Sequence, residues 1–245
     1  MIEVDGLQLA YPNPRAGGEQ HVIDDLSLHV ADGESLAIIG PSGCGKSSLL
    51  YVLSGLTTPT AGGVSIRGEP IERPRPDVAL ILQETGLLPW KTVWQNAVFG
   101  LDLRQQGRLR RVKRALRELG LEGMEHRYPA QLSGGEKKRV GLARALAQEA
   151  GVLLMDEPLA ALDALTKERT QNLMLSLWQA HGYTSLLVTH DIEEAVFLGQ
   201  RIAVLGPRPT RVVDVIENPD MGTDGYRQSE TFFGVVRAVR GALSR

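Results

Sequence analysis

The run "GPSGCGKSS" at residues 40–48 carries the pattern G-x-x-x-x-G-K-[ST]. It sits behind the apolar "LAIIG" and ahead of an apolar helical pattern. Strand, loop and helix in that order make a cradle for phosphate, which separates the run from a chance glycine-rich turn. Gly40, Gly43 and Gly45 let the backbone curl so that successive N–H groups point at phosphate oxygens. Lys46 adds a point charge for the outer phosphates, and the Ser47 hydroxyl is placed for Mg²⁺. Pro41, Ser42, Cys44 and Ser48 complete the expected nucleotide-binding loop. With Cys44 inside it, a bulky thiol reagent is expected to block nucleotide binding.

Outward from the loop, "DVALIL", "GVLLMD", "SLLVTH" and "RIAVLG" are short apolar runs, several followed by helical patterns, as buried parallel strands should be. The earlier "IEVDGLQLAY" and "VIDDLSLHV" alternate instead, like antiparallel strands with one wet face. From about Thr92 to Ala150 helical periodicity continues without a strand, which predicts a helical subdomain inserted between two core strands. "NPDMGTDG" is turn-rich and reads as a linker. The tail "YRQSETFFGVVRAVRGALSR" then puts Phe232, Val235, Val236, Val239 and Leu243 on one face of a docked C-terminal helix. The expected fold is α/β, a P-loop NTPase core with an N-terminal antiparallel β subdomain and an inserted helical subdomain. Its expected division is 1–85 with 151–216 for the nucleotide-binding core and β subdomain, 86–150 for the helical subdomain, and 217–245 for linker and helix.

In "GVLLMDEP" an apolar strand ends in two adjacent carboxylates. Asp156, at the strand's carboxyl end, can hold Mg²⁺ through water. Glu157 points differently, toward the space beyond the γ-phosphate, and is the candidate general base. His190 ends another strand in "SLLVTHD" at the same carboxyl edge, where ligands bind in open α/β sheets. A packed or capping histidine is the plainer alternative, and the edge position favours function.

A second glycine-rich turn, "LSGGE" at 132–136, also opens a helix. Ser133 with Glu136 is the S-x-x-E capping box, and "KKRVGLARALAQEA" continues with Val140, Leu142, Ala143 and Leu146 on one face. A cap alone does not call for two adjacent glycines. Glycine weakens a helix start unless backbone must approach something closely, and bare N–H groups at a helix N-terminus attract an anion.

Composition narrows the classes. At 245 residues the chain can bury roughly 70 to 75% of its unfolded surface, so it needs no disulfide or metal to fold. Its single cysteine and the lack of a signal-peptide pattern point to a reducing, cytoplasmic setting. No apolar run approaches the ~20 residues of a membrane span, so membrane association must come through a partner. The net charge of -2 gives no general footprint for nucleic acid. The exception, "RLRRVKRALR" at 108–117, spaces Leu109, Val112, Leu116 and Leu119 helically, which favours the basic residues as the wet side of an amphipathic helix over a lipid-headgroup or partner patch.

Together these residues resemble the ATP-binding subunits of ABC transporters, from Tyr11 to about Val213. The resemblance implies a RecA-like parallel sheet, ATP and Mg²⁺ as cofactors, and ATP hydrolysis as the activity. It makes "GPSGCGKSS" the Walker A loop, "LLMDEP" Walker B and "LSGGE" the signature motif. Tyr11 would stack on adenine, Gln83 would be the Q-loop glutamine at the metal and the attacking water, Asp163 would close the D-loop, and His190 would be the switch histidine. In such proteins two subunits pack head to tail. Ser133, Gly134, Gly135 and Glu136 would then face the partner's ATP, with the first three donating to its γ-phosphate. Glu136 stands where glutamine is usual. At 4 Å its charge would repel phosphate by about 1 kcal/mol in water and about 4 kcal/mol at an effective dielectric of 20. Lys137, Lys138 and Arg139 follow and offset this. Ala160 stands where a D-loop serine is common, which implies one cross-subunit hydrogen bond fewer.

The stretch "LQETGLLPWKTVWQNAVFGL" leads from Gln83 into the helices, where the family receives a coupling helix of the membrane subunit. Leu87, Leu88, Pro89 and Trp90 suit an exposed apolar docking patch; a core role for Trp90 is equally compatible with the residues. "LLPW" with "QNAVFGL" looks most like the nitrate, sulfonate and taurine importers. The expected partners are a second copy of the chain, transmembrane permease subunits and, indirectly, a solute-binding protein, with no nucleic acid. The expected place is the cytoplasmic face of the inner membrane, peripheral through the permease. A soluble ABC ATPase acting on DNA or ribosomes is the alternative. A P-loop kinase would leave the signature turn and Glu157 without work.

Overall fold

The computed structural model describes residues 1–12, 17–101 and 107–244. The part of the expected helical insertion at 102–106 lies outside the described residues. Two sheets organise the chain. One is antiparallel, in the order β2 (Glu19–Val30), β1 (Ile2–Pro12), β4 (Ala61–Ile66), β5 (Glu69–Pro70). The other runs β10 (Val212–Glu217), β9 (Arg201–Leu205), β3 (Ser35–Ile39), β8 (Thr184–Thr189), β7 (Val152–Asp156), β6 (Val78–Ile81). All of its neighbours pair in parallel except β10, which pairs antiparallel to β9.

The unbroken apolar runs of β3, β7 and β8 follow from burial on both faces of the larger sheet. Successive side chains of β3 go opposite ways. Leu36 and Ile38 join a core with β1, β2 and helix α1 (Lys46–Leu53). Ala37 and Ile39 join a second core with the helices on the other face. Each fully buried Leu or Ile there contributes about 1.5–3 kcal/mol. On β1 the alternation holds, with Ile2, Val4, Leu7 and Leu9 inward.

Between β6 and β7 stand α2 (Val93–Ala97), α3 (Arg108–Glu118) and α4 (Gly134–Ala147). On α3 the buried stripe is Val112, Ala115 and Leu116. Leu119 follows inside, whereas Leu109 is 50% exposed, one turn too early to reach the core. After β7 come α5 (Ala164–His181) and α6 (Ile192–Leu198), and the chain ends in α7 (Glu230–Leu243), which buries Phe232, Val236, Val239 and Ala242.

Strands β4, β5 and β10 were not legible in the pattern. β4 opens on Ala61, Gly62 and Gly63, all exposed, and Gly62 is needed because a Cβ there would run into the Gly6 carbonyl of β1. The stretch read as a linker is anchored instead. Asn218 is 1% exposed, donates to the carbonyls of Val196 and Gly199, and accepts from the Tyr226 hydroxyl, while Met221 is buried.

Candidate nucleotide site

The loop after β3 owes its shape to its glycines. Gly43 has φ 74° and Gly45 φ 123°, conformations that side chains resist. A Cβ on Gly45 would lie 2.7 Å from Val22 Cγ1, and one on Gly40 2.8 Å from the Leu205 carbonyl oxygen. Gly45 is also the N-cap of α1 and offers no side-chain cap, so the first-turn N–H groups have no side chain to serve them. Pro41, Ser42 and Gly43 are exposed, Ser47 and Ser48 half-buried. Lys46 is buried and folds over the loop, with Nζ donating to the carbonyls of Gly40 (2.8 Å) and Pro41 (3.0 Å). Cys44 departs from the thiol-reagent expectation. Its side chain is 2% exposed inside the β1–β2–α1 core, so a reagent has no path to it in the folded chain, and only its backbone faces the loop.

Three parallel strands bring the remaining groups to the same carboxyl edge: β3 ends at the loop, β7 at Asp156 and β8 just before His190. Asp156 is buried, which pushes its carboxyl above the usual range, while a hydrogen bond from the Ser47 hydroxyl pulls the other way. Glu157 sits in the left-handed region at φ 43°, held by its N–H to the Val188 carbonyl (2.9 Å). Its Oε1 lies 3.0 Å from His190 Nδ1. A non-glycine residue held in that conformation costs about 1–3 kcal/mol, a strain that Glu157 shares with Asp25, Arg67, Glu149 and Ala161.

The predicted residues outside this cluster fall in two places. Tyr11 is half-buried on β1 against the core that holds Cys44 and Val22. Gln83 is exposed just after β6, and its carbonyl accepts from Lys138 Nζ on α4. In the Ser133–Glu136 turn the capping box is complete: Ser133 Oγ accepts from the Glu136 N–H (3.2 Å), and Glu136 Oε2 from the Ser133 N–H (2.6 Å). That backbone bond holds the Glu136 carboxyl below its usual range. Gly134 is exposed. Gly135 is buried, and a Cβ on it would come 2.5 Å from Thr166 Cγ2 on α5. Among the described residues no hydrogen bond or ion pair joins this turn to the 40–48 loop.

The profile of the ABC transporter family matches residues 23–160, more than half of the chain. The chain belongs to the ABC transporter family. The taurine import ATP-binding protein TauB of Escherichia coli O157:H7 is 44% identical over 211 residues, covering 85% of this chain and 82% of that one. Its counterpart in Yersinia pestis bv. Antiqua (strain Antiqua) is 43% identical over 218 residues, 87% and 83% of the two chains. Among solved structures, the dimeric post-hydrolysis state of the ATP-binding cassette MJ0796 bound to ADP and Pi superposes with a TM-score of 0.78 at 30% identity, over 89% of this chain and 98% of that one. CbiO1 from Clostridium perfringens, part of the cbiONQ transporter complex, gives 0.76 at 27% identity, over 89% and 88%.

Within this ABC cassette two groups escaped sequence reasoning. Lys167, on the helix that Asp163 caps, bridges Asp191 (2.7 Å) and the buried Glu194 (3.1 Å), fastening the start of α6 just behind His190. The D-x-x-E spacing after His190 was its available signal. Asn96, fully buried, receives the Leu88 N–H on its Oδ1 and donates to the carbonyls of Leu88, Lys91 and Thr92. It thereby closes the turn on which Trp90 stands 70% exposed, so the core alternative for Trp90 does not hold. The oxygen set of Ser47 and Asp156 suits a hard cation that brings further ligands with it. Among the described residues no three His, Cys, Asp or Glu gather for a metal.

Proposed function

We propose that this ATPase drives import of a small sulfonate of the taurine class through a separate permease, working as a head-to-tail pair of copies at the cytoplasmic face of the membrane. The observation that carries the catalytic half is the convergence of the Lys46 loop, Asp156 and the Glu157–His190 pair on one sheet edge. The relatives' names as taurine import proteins support the cargo. None of the described helices is long and apolar enough to cross a membrane.

Backbone N–H groups of Ser42–Ser48 and the Lys46 ammonium would hold the phosphates, with Pro41 shaping the loop and Tyr11 against the base. Ser47 and Asp156, with Gln83, would hold Mg²⁺, which supplies neutralisation of charge on the phosphate oxygens. Glu157 takes the proton of the attacking water. His190, on Glu157 Oε1, leaves the other carboxylate oxygen to meet that water. Ser133, Gly134, Gly135 and Glu136 of one copy would close over the ATP of the other, and the exposed Trp90 turn would dock the permease.

A tagged chain purified from membranes in mild detergent should retain a multi-span protein at about one to one. In proteoliposomes, taurine-loaded binding protein should stimulate its ATPase more than nitrate-loaded protein. Retention of only soluble proteins would refute the transporter reading, and a preference for nitrate would refute the cargo.

A further inference from the structure

On the opposite side of the larger sheet, at the amino ends of its strands, lies a cavity of about 370 Å³ between α3, the end of α4 and the turn before β8. That volume falls in the range of small-molecule sites. Most of its charges are paired at the wall: Arg111 with Glu149 (3.0 Å), Arg114 with Glu118 (2.7 Å), and His181 with Glu118 (3.1 Å). Two are not. The guanidinium of Arg67, from the turn between β4 and β5, makes no hydrogen bond or ion pair among the described residues, and acts only through space on Asp77, which Arg75 already binds. Its guanidinium lies over the backbone of Gly151, where a Cβ would stand 2.5 Å from Nη2, so glycine at 151 is what admits it. Among the described residues the carboxylate of Asp32, on the turn before β3, meets only the Thr184 hydroxyl, at 3.5 Å. The Tyr183 hydroxyl on the same wall has no partner among the described residues, and burial pushes its phenol well above the usual range, so it stays a donor.

One unpaired cation with a neutral O–H donor and one weakly engaged carboxylate, on a wall otherwise neutralised, complement a ligand that carries one charge of each sign. We infer that this cavity binds a small zwitterion of the ω-amino sulfonate or ω-amino carboxylate class, its acid group on Arg67 and Tyr183 and its ammonium on Asp32. The site is apart from the nucleotide loop. Only the step that equates the ligand with the transported sulfonate rests on the function proposed above.

The test is calorimetric titration of the full chain, kept saturated with ADP and Mg²⁺ so that the Lys46 loop is filled, against taurine, β-alanine, ethanesulfonate and ethylamine. At least one of the two zwitterions should bind, and each single-charge compound should bind at least about tenfold more weakly. Arg67→Gln should lose about tenfold or more for the zwitterion while its melting temperature stays within about 2 °C, since the guanidinium forms no hydrogen bond or ion pair among the described residues. Absence of zwitterion binding, equal binding of ethanesulfonate, or unchanged affinity in Arg67→Gln would overturn the site. Binding of β-alanine without taurine would keep the site and remove its link to the cargo.

Discussion

Two glycine-rich turns open helices in this chain, and their glycines answer to different demands. In the 40–48 loop, Gly43 and Gly45 take φ of 74° and 123°, and the helix they open has no side-chain cap. No side chain serves the backbone donors of that first turn. At 132–136 the helix is capped by its own Ser133 and Glu136, and neither Gly134 nor Gly135 has a positive φ. Gly135 is small because Thr166 of α5 occupies the space of its missing side chain. The first turn is shaped by conformation. The second is finished as a helix start and leaves Ser133 and Gly134 exposed.

The largest expected effect tests whether the chemistry belongs to the first turn's edge of the sheet. Glu157→Gln should keep nucleotide affinity and lower steady-state ATP hydrolysis by about 10²–10⁴-fold, the usual weight of a general base; turnover near that of the unchanged chain would remove Glu157 from the role. Next, Gly45→Ala meets both a φ of 123° and Val22 at 2.7 Å. Backbone strain alone should cost about 1–3 kcal/mol. Nucleotide affinity, read by fluorescent ATP titration, should fall with it, and an unaffected affinity would break the conformational account of the first turn.

Gly135→Ala sharpens the contrast. Overpacking against Thr166 should cost about 1–3 kcal/mol, or about 2–4 °C of melting temperature per kcal/mol in a chain of this size. Adding Thr166→Ser removes the offending methyl. Stability and turnover both restored in the pair would assign Gly135 to packing, whereas stability restored without turnover would assign it to the phosphate. The smallest effect concerns Glu136. Its folded carboxyl titrates below the ordinary range, so its stabilisation is present above the ordinary glutamate pKa and is lost as pH falls through the folded value. Melting curves of Glu136→Gln should therefore match the unchanged chain near neutrality within about 1 kcal/mol and fall less steeply in acid. An identical acid slope would mean that the carboxylate adds nothing to the cap.

What was legible in the sequence was local. A strand, a glycine loop and Lys46 in order, acid residues closing a buried strand, and a serine three residues before a glutamate each depend on neighbours along the chain, and the structure places all of them as read. The resemblance to a known family added residues that no periodicity marks, Tyr11 and Gln83 among them. Tertiary structure alone decided the rest, because each feature needs two distant segments to meet. Cys44 turns inward because the β1–β2 layer lies over the loop. Gly135 is required by Thr166, on a helix well beyond it in the chain. Lys167 finds Asp191 and Glu194 only after α5 and α6 are stacked, and β10 becomes a strand only because β9 offers it an edge. Caps and periods are written within a few residues, whereas steric exclusion, burial and ion pairing are set by which elements lie side by side.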